Sequence, residues 1–183
     1  MWSWSWSWSW SWSWSWSWSW SLRVRGLRDC MDAVCAAWGL RESSRSDAHW
    51  MSELRAIVMR ADLERLGRFD PVRVRQRFLD GFVPQNTRVI VVAGQDVGLI
   101  AVRPESDAVW IEHFYLDPAQ QGRGLGSAVL ADALETRHAG DDRPFRLNVL
   151  QGSPARRLYE RHGFELESED AVDVFMKAEP LRR

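Results

Sequence analysis

What this 183-residue chain lacks narrows its function before any motif is read. Its two cysteines, Cys30 and Cys35, have no histidine or cysteine companions at ligand spacing, so neither a zinc site nor a disulfide framework is legible. The four histidines, His49, His113, His138 and His162, show no ligand spacing either, and no metal is expected. Lysine is nearly absent: Lys177 is the single one among 24 basic residues, and without a Gly-Lys pair there is no Walker phosphate loop. No Gly-x-Ser-x-Gly elbow is present, which argues against a serine hydrolase. A net charge of −1 gives no bulk attraction to nucleic acid or to an anionic membrane, and neither is expected as a partner. No run of about 20 apolar residues and no basic, apolar and small-residue leader pattern occurs, so a cytoplasmic protein is the expectation.

Tryptophan, by contrast, is abundant, yet ten of the 13 lie in residues 2–21, a perfect Trp-Ser repeat. As a helix the indoles would point all round the axis, and as a strand they would make one long aggregation-prone face. The block therefore reads as a low-complexity segment, a translated repeat or misplaced start, rather than as an adhesive or membrane-interfacial tail. Residues 22–37 include Leu27, Cys30, Met31, Val34 and Cys35 at helical spacing, a short amphipathic helix. The rest is long enough for one domain with a real core.

From Trp38 onward the pattern is that of a mixed α/β domain around one sheet flanked by helices. Trp38 to Glu42 reads as a first strand. Asp47 is the expected N-cap of a helix with Trp50, Leu54, Ile57 and Val58 on one face, and Pro71 opens a second helix carrying Arg73, Arg75 and Arg77. Such an arginine run reads as a solvated surface. Arg88 to Ala93 and Val97 to Val102 flank Gly94-Gln95-Asp96, the chemistry of a hairpin. Ala108 to Leu116 is a third strand of this series, ended by Asp117-Pro118. A helix from Gly124 to His138 carries Leu125, Val129, Ala133 and Leu134; then come a strand (Phe145 to Leu150), a helix (Pro154 to His162) stopped by Gly163, and strands at Phe164 to Leu166 and Ala171 to Met176.

The densest chemical signal is Gln120-Gln121-Gly122-Arg123-Gly124-Leu125-Gly126-Ser127, between a strand and a helix. Its glycines let the backbone approach a ligand closely, and the following helix N-terminus favours an anion, a phosphate above all. A dinucleotide fingerprint would require glycine where Ser127 stands. The second signal runs from Leu147 through Ser153, Pro154, Ala155, Leu158 and Tyr159 to Gly163 and Phe164. Together the two segments resemble the GNAT superfamily of acyl-CoA-dependent N-acetyltransferases. The family's pyrophosphate loop is matched by Gln121, Gly124 and Gly126, and its later pattern by Pro154, Ala155, Leu158, Tyr159, Gly163 and Phe164, with Ser153 where the family has asparagine. The resemblance covers about residues 38–178, so the expected organisation is the repeat (1–21), the short helix (22–37), a single GNAT-like acyl-CoA N-acyltransferase domain (38–178) and a tail (179–183), with everything before residue 38 dispensable for catalysis.

The resemblance implies that the acetyl and pantetheine groups of acetyl-CoA lie against the backbone of a splayed strand at Phe114, Tyr115 and Leu116. It implies too that the pyrophosphate sits on Gly122, Arg123, Gly124, Leu125, Gly126 and Ser127, and that Ser153 takes over part of the missing asparagine's role. A primary amine with a pKa of about 10.4 needs help to lose its proton. Glu112 is the candidate base, read as sharing a face with Phe114 while His113 turns to the other; burial between Trp110 and Phe114 would raise its pKa. The alternative is that Glu112 binds a substrate cation or an arginine. Asn148, on the next strand, cannot serve as a base. Tyr159 is the candidate acid for the departing thiolate, the alternative being a core tyrosine. A non-catalytic acyl-CoA sensor on the same fold stays open, as does a homodimer. Residues 47–87, which build the acceptor pocket in this family, show no substrate signature.

Overall fold

The structure, a computed structural model, describes residues 38–137 and 142–180. The Trp-Ser block, the helix expected over residues 22–37 and His138 lie outside the described residues. Within them the chain runs through β1 (Trp38–Glu42), α1 (Ala48–Arg65), α2 (Pro71–Gly81), β2 (Thr87–Val92), β3 (Gln95–Pro104), β4 (Val109–Leu116), α3 (Leu125–Arg137), β5 (Phe145–Leu150), α4 (Arg156–Arg161), β6 (Glu165–Glu169) and β7 (Asp173–Ala178). The strands form one seven-stranded sheet in the order β1-β2-β3-β4-β5-β7-β6. Every neighbouring pair is antiparallel except β4 and β5.

The sheet separates two apolar layers. On one face Val129, Leu130, Ala133 and Leu134 of α3, with Tyr159 of α4, pack on Ile100, Ile111, Leu147 and Met176. On the other, Met51 and Leu54 of α1 and Phe78 of α2 pack on Val89 and Leu99. Ile57, expected on the inner face of α1, is 59% exposed. One residue of helix is about 100° of rotation, so a face centred on Met51, Leu54 and Val58 leaves Ile57 on the flank. No helix among the described residues is long and apolar enough to cross a membrane.

Local chemistry explains the element boundaries. Asp70 caps α2 by accepting from the amides of Val72 and Arg73, both at 2.9 Å, with Pro71 in the first turn. Asp47 is the N-cap residue of α1 as expected, but its side chain bonds none of the helix amides. A 3-10 turn, Arg45–Asp47, leads into the helix, and the Asp47 carboxylate instead accepts from Arg41 (2.8 and 3.1 Å), the Ser44 amide (2.8 Å) and Trp50 Nε1 (3.0 Å). The β2–β3 hairpin turns at Ala93-Gly94, with φ of 50° and 79° and Val92 opposite Gln95, so the turn lies one residue earlier than the glycine-centred reading. Left-handed conformations at both central residues match the twist of the strands.

Two features of β4 shape everything that follows. Ile100 faces Phe114 but Val102 faces Ile111, so β4 carries one extra residue at Glu112-His113. The bulge breaks the alternation of side chains. Glu112 and His113 both turn toward α1, where they line one cavity with Trp110 and Tyr115, while Phe114 packs into the α3 layer. The expected shared face of Glu112 and Phe114, with His113 opposed, is thereby corrected. The parallel pairing of β4 with β5 joins only Val109 to Phe145, Trp110 to Arg146 and Ile111 to Leu147; beyond these residues the strands part.

Candidate active site

On the α3 side of this parting, the strand runs directly into the glycine loop. Asp117 accepts from the Ala119 amide at 2.8 Å, and Gln121 Nε2 donates to the carbonyl of Leu116 at 2.9 Å, tying the loop back to the strand end. Gly122 and Gly124 have φ of 71° and 84°, and a Cβ at either would meet nothing within 4 Å. The backbone conformation, not crowding, calls for glycine there. Gly126 is different in kind: its would-be Cβ lies 3.4 Å from Leu116, 3.5 Å from Leu158 and 3.9 Å from Phe114. The amide of Ala128 bonds to the carbonyl of Gly124 at 3.1 Å, so the amides of Leu125, Gly126 and Ser127 come before that first turn closes. These donors, at the positive end of α3, form a cradle for an anion. Arg123 is exposed beside them.

Ser127 Oγ lies 2.7 Å from His162 Nε2, which fastens the start of α3 to the end of α4; burial lowers the pKa of that imidazole. Tyr159 of α4 is 7% exposed and meets Phe164 edge-on at 5.9 Å. Burial raises its phenol well above the ordinary tyrosine range, so the hydroxyl keeps its proton at neutral pH. Ser153, in the turn before α4, accepts from the Ala155 amide at 3.4 Å.

On the opposite side of the sheet lies a cavity of about 350 Å³ whose wall includes Arg55, Trp110, Glu112, His113, Tyr115 and Asn148. Glu112, its side chain 30% exposed, accepts from Arg103 Nε at 2.8 Å. Tyr115 OH accepts from Arg55 Nη1 at 2.9 Å, and His113 Nδ1 lies 3.4 Å from both groups. Burial, then the charge of Arg55, pushes His113 down to about 4, so it is neutral at pH 7. Burial likewise raises the Tyr115 phenol. Asn148, on β5 past the parting, donates to Asp173 at 3.1 Å.

The expected site residues thus fall on two sides of the sheet. Phe114, Leu116 and residues 121–127 gather on the α3 side, near Tyr159 and the turn holding Ser153. Glu112 and the side chain of Tyr115 stand on the other. Sequence reasoning set His113 aside and missed Arg55, because a one-residue bulge and an arginine on an amphipathic helix leave no signature of their own. Among the described residues no group of three or more His, Cys, Asp or Glu side chains could hold a metal ion.

The family model of the acetyltransferase (GNAT) domain matches residues 85–166, a span that contains the bulge, the parting of β4 from β5, the glycine loop and α4. Over that span the chain is similar to GNAT acetyltransferases. Solved GNAT structures share the fold at low identity. PaiA N-acetyltransferase of Thermoplasma acidophilum, in complex with coenzyme A, superposes with a TM-score of 0.65 at 16% identity, covering 78% of this chain and 99% of that one. Ard1 of Thermoplasma volcanium gives 0.58 at 22% over 80% and 99%. An N-acetyltransferase of Staphylococcus aureus Mu50 gives 0.58 at 17% over 76% and 100%. A search of curated proteins finds no match.

Proposed function

We propose that this GNAT domain transfers an acetyl group from acetyl-CoA to a primary amine by direct attack, without a covalent enzyme intermediate. The observation that carries the reading is the parting of β4 from β5 beyond Ile111 and Leu147, with the glycine-loop amides on one side of the sheet and the Glu112 cavity on the other. Bound acetyl-CoA supplies an activated thioester. The amides of residues 122–127 hold its pyrophosphate, and the backbone of β4 from Glu112 to Leu116, no longer paired with β5, holds the pantetheine arm and meets the oxyanion. That PaiA N-acetyltransferase, which shares the fold, was solved in complex with coenzyme A supports a CoA thioester as the cosubstrate.

The amine approaches from the α1 side. Glu112, fixed by Arg103, passes the ammonium proton directly or through water to solvent, the neutral nitrogen attacks the thioester carbonyl, and the second nitrogen proton leaves by the same route as the amide forms. As the C–S bond breaks, the Tyr159 phenol gives its proton to sulfur and regains one from solvent. Burial holds the phenol in its protonated form at neutral pH, so the proton is present when the thiolate forms.

Acetyl-CoA consumption by the full chain over a panel of amines tests the assignment. Tyr159→Phe and Glu112→Gln are each expected to lower kcat by roughly 10²-fold or more while CoA binding persists. If neither slows a demonstrated acetylation, these roles are wrong. If CoA binds and no amine is ever acetylated, the non-catalytic sensor reading replaces this one.

A further inference from the structure

Arg55 carries an unmet need that no group of the described chain answers. It stands on the wall common to two cavities, one of about 1020 Å³ and the other of about 350 Å³. Its Nη1 is spent on Tyr115 OH at 2.9 Å, with His113 Nδ1 at 3.4 Å. Its Nε is buried with no hydrogen-bond partner, the one such side-chain atom among the described residues. A buried donor left unsatisfied forfeits its hydration with nothing in return, and natural interiors rarely tolerate it. Among the described residues no ion pair compensates the guanidinium charge either. Its polar neighbours, a neutral imidazole and a neutral phenol, offer none, and the face of the Tyr115 ring, 5.8 Å away, offers only a weak cation–π contact.

The carboxylates that line the same cavities are already engaged. Glu112 is bound by Arg103 at 2.8 Å, and Asp173 accepts from Asn148 at 3.1 Å. Asp70 serves the amides of Val72 and Arg73, and Asp170 those of Val172 and Asp173. In the larger cavity Arg73 and Arg77, four residues apart on α2 and so on one face, form no ion pair and no side-chain hydrogen bond among the described residues. Arg75 between them turns away to Glu53, at 2.6 and 2.8 Å.

We infer that the acceptor is an amine that also bears a carboxylate, and that this carboxylate docks along the Nε–Nη2 edge of Arg55. The inference rests on the transfer reading above and names its substrate class. A carboxylate brings two acceptors in the plane of the guanidinium fork, answering the orphaned donor and the unpaired charge at once. The amine of an amino-acid-sized group fixed there shares the smaller cavity with Glu112, while Arg73 and Arg77 receive further acidic groups of a longer acceptor. Free acidic amino acids and acidic peptides present the same chemistry.

Matched acceptors decide it. The full chain is assayed with L-alanine against L-alaninamide, L-glutamate, the dipeptide Glu-Glu, and putrescine. The carboxylates are expected to exceed the amide and the diamine by at least tenfold in kcat/KM, and Glu-Glu against glutamate tells which source is preferred. Arg55→Gln is expected to raise KM for the carboxylates at least tenfold with CoA affinity and kcat little changed, and Arg55→Lys to recover part of the loss. Equal or better use of alaninamide or putrescine by the unsubstituted chain overturns the inference and leaves the transfer reading standing. If no amine is acetylated the transfer reading fails, and calorimetry with L-glutamate still decides the docking site: binding lost in Arg55→Gln supports it, and no binding to the unsubstituted chain overturns it.

Discussion

Replacing Gly98 by alanine is expected to damage both fold and site through a single methyl group. Gly98 lies in β3 opposite Leu116, and a Cβ built there falls 2.5 Å from the Tyr115 carbonyl oxygen, 2.8 Å from Leu116 Cδ2 and 3.2 Å from Leu116 Cα. The Leu116 side chain can turn aside, but the carbonyl belongs to the backbone of β4, so the strand itself has to move. Overpacking a well-packed interior costs typically 1–3 kcal/mol, and a clash with backbone belongs at the upper end, about 3 kcal/mol. For a protein of this size about 2–4 °C of Tm accompanies each kcal/mol, so a fall of about 6–12 °C is expected in thermal unfolding followed by circular dichroism. Gly39 is the control, because a Cβ there meets nothing within 4 Å on the edge strand β1. Gly39→Ala should stay within about 0.5 kcal/mol of the unsubstituted chain. The displaced segment is also the one assigned to the pantetheine arm, so Gly98→Ala should weaken CoA binding as well. A Tm within 2 °C of the parent, or equal losses at the two glycines, would refute the reasoning.

Three further outcomes follow from the same geometry. Gly124→Ala forces a side chain into φ of 84°, at a cost of about 1–2 kcal/mol, and CoA affinity measured by calorimetry should fall about tenfold; an unchanged Kd removes the loop from the site. Hydrogen bonds from Arg41, then from Trp50 and Ser44, hold the Asp47 carboxyl well below its usual range, so its contribution is complete above about pH 4 and is lost as pH falls. Asp47→Asn should therefore cost about 2 kcal/mol in urea unfolding at pH 7 and less at pH 3. His113, pushed down to about 4, binds fewer protons folded than unfolded between about pH 6.5 and 4, so stability declines through that window by about 2–3 kcal/mol as pH falls; His113→Gln should flatten that part of the curve.

The elements were legible where a short alternating or helical run is bounded by glycine, proline or aspartate, as at Ala93-Gly94, Asp117-Pro118 and Gly163. Gly122 and Gly124 mark the anion loop in the bare sequence, and the fold adds their left-handed backbone. What escaped depends on contacts between distant residues. Asp47 reads as a helix cap until Arg41 of β1 and Asp96 of β3 come beside it, with Arg41 gripping both carboxylates. The extra residue at Glu112-His113 has no compositional mark, yet it decides which face each later side chain of β4 takes. Gln121 reads as part of an anion loop, and only the fold reveals its bond to Leu116. Arg55 looks like any helix arginine until the carboxylates that share its cavities prove to be bound to other partners.

The sheet is better regarded as two antiparallel leaves, β1 to β4 and β5 to β7, sewn together by a short hem at Val109–Ile111 and Phe145–Leu147. Below the hem the leaves depend on α3 and its buried Val129 and Leu130 to stay in register. Under the proposed function, a cosubstrate lying between them would take the place of the missing stitches. It stabilises the folded state by mass action for as long as it is bound. Under the proposed transfer, turnover would carry its own mechanical cycle, stiffening as the acyl donor arrives and loosening as the spent thiol leaves, with the loosest stage coinciding with the moment when the next donor must slip in.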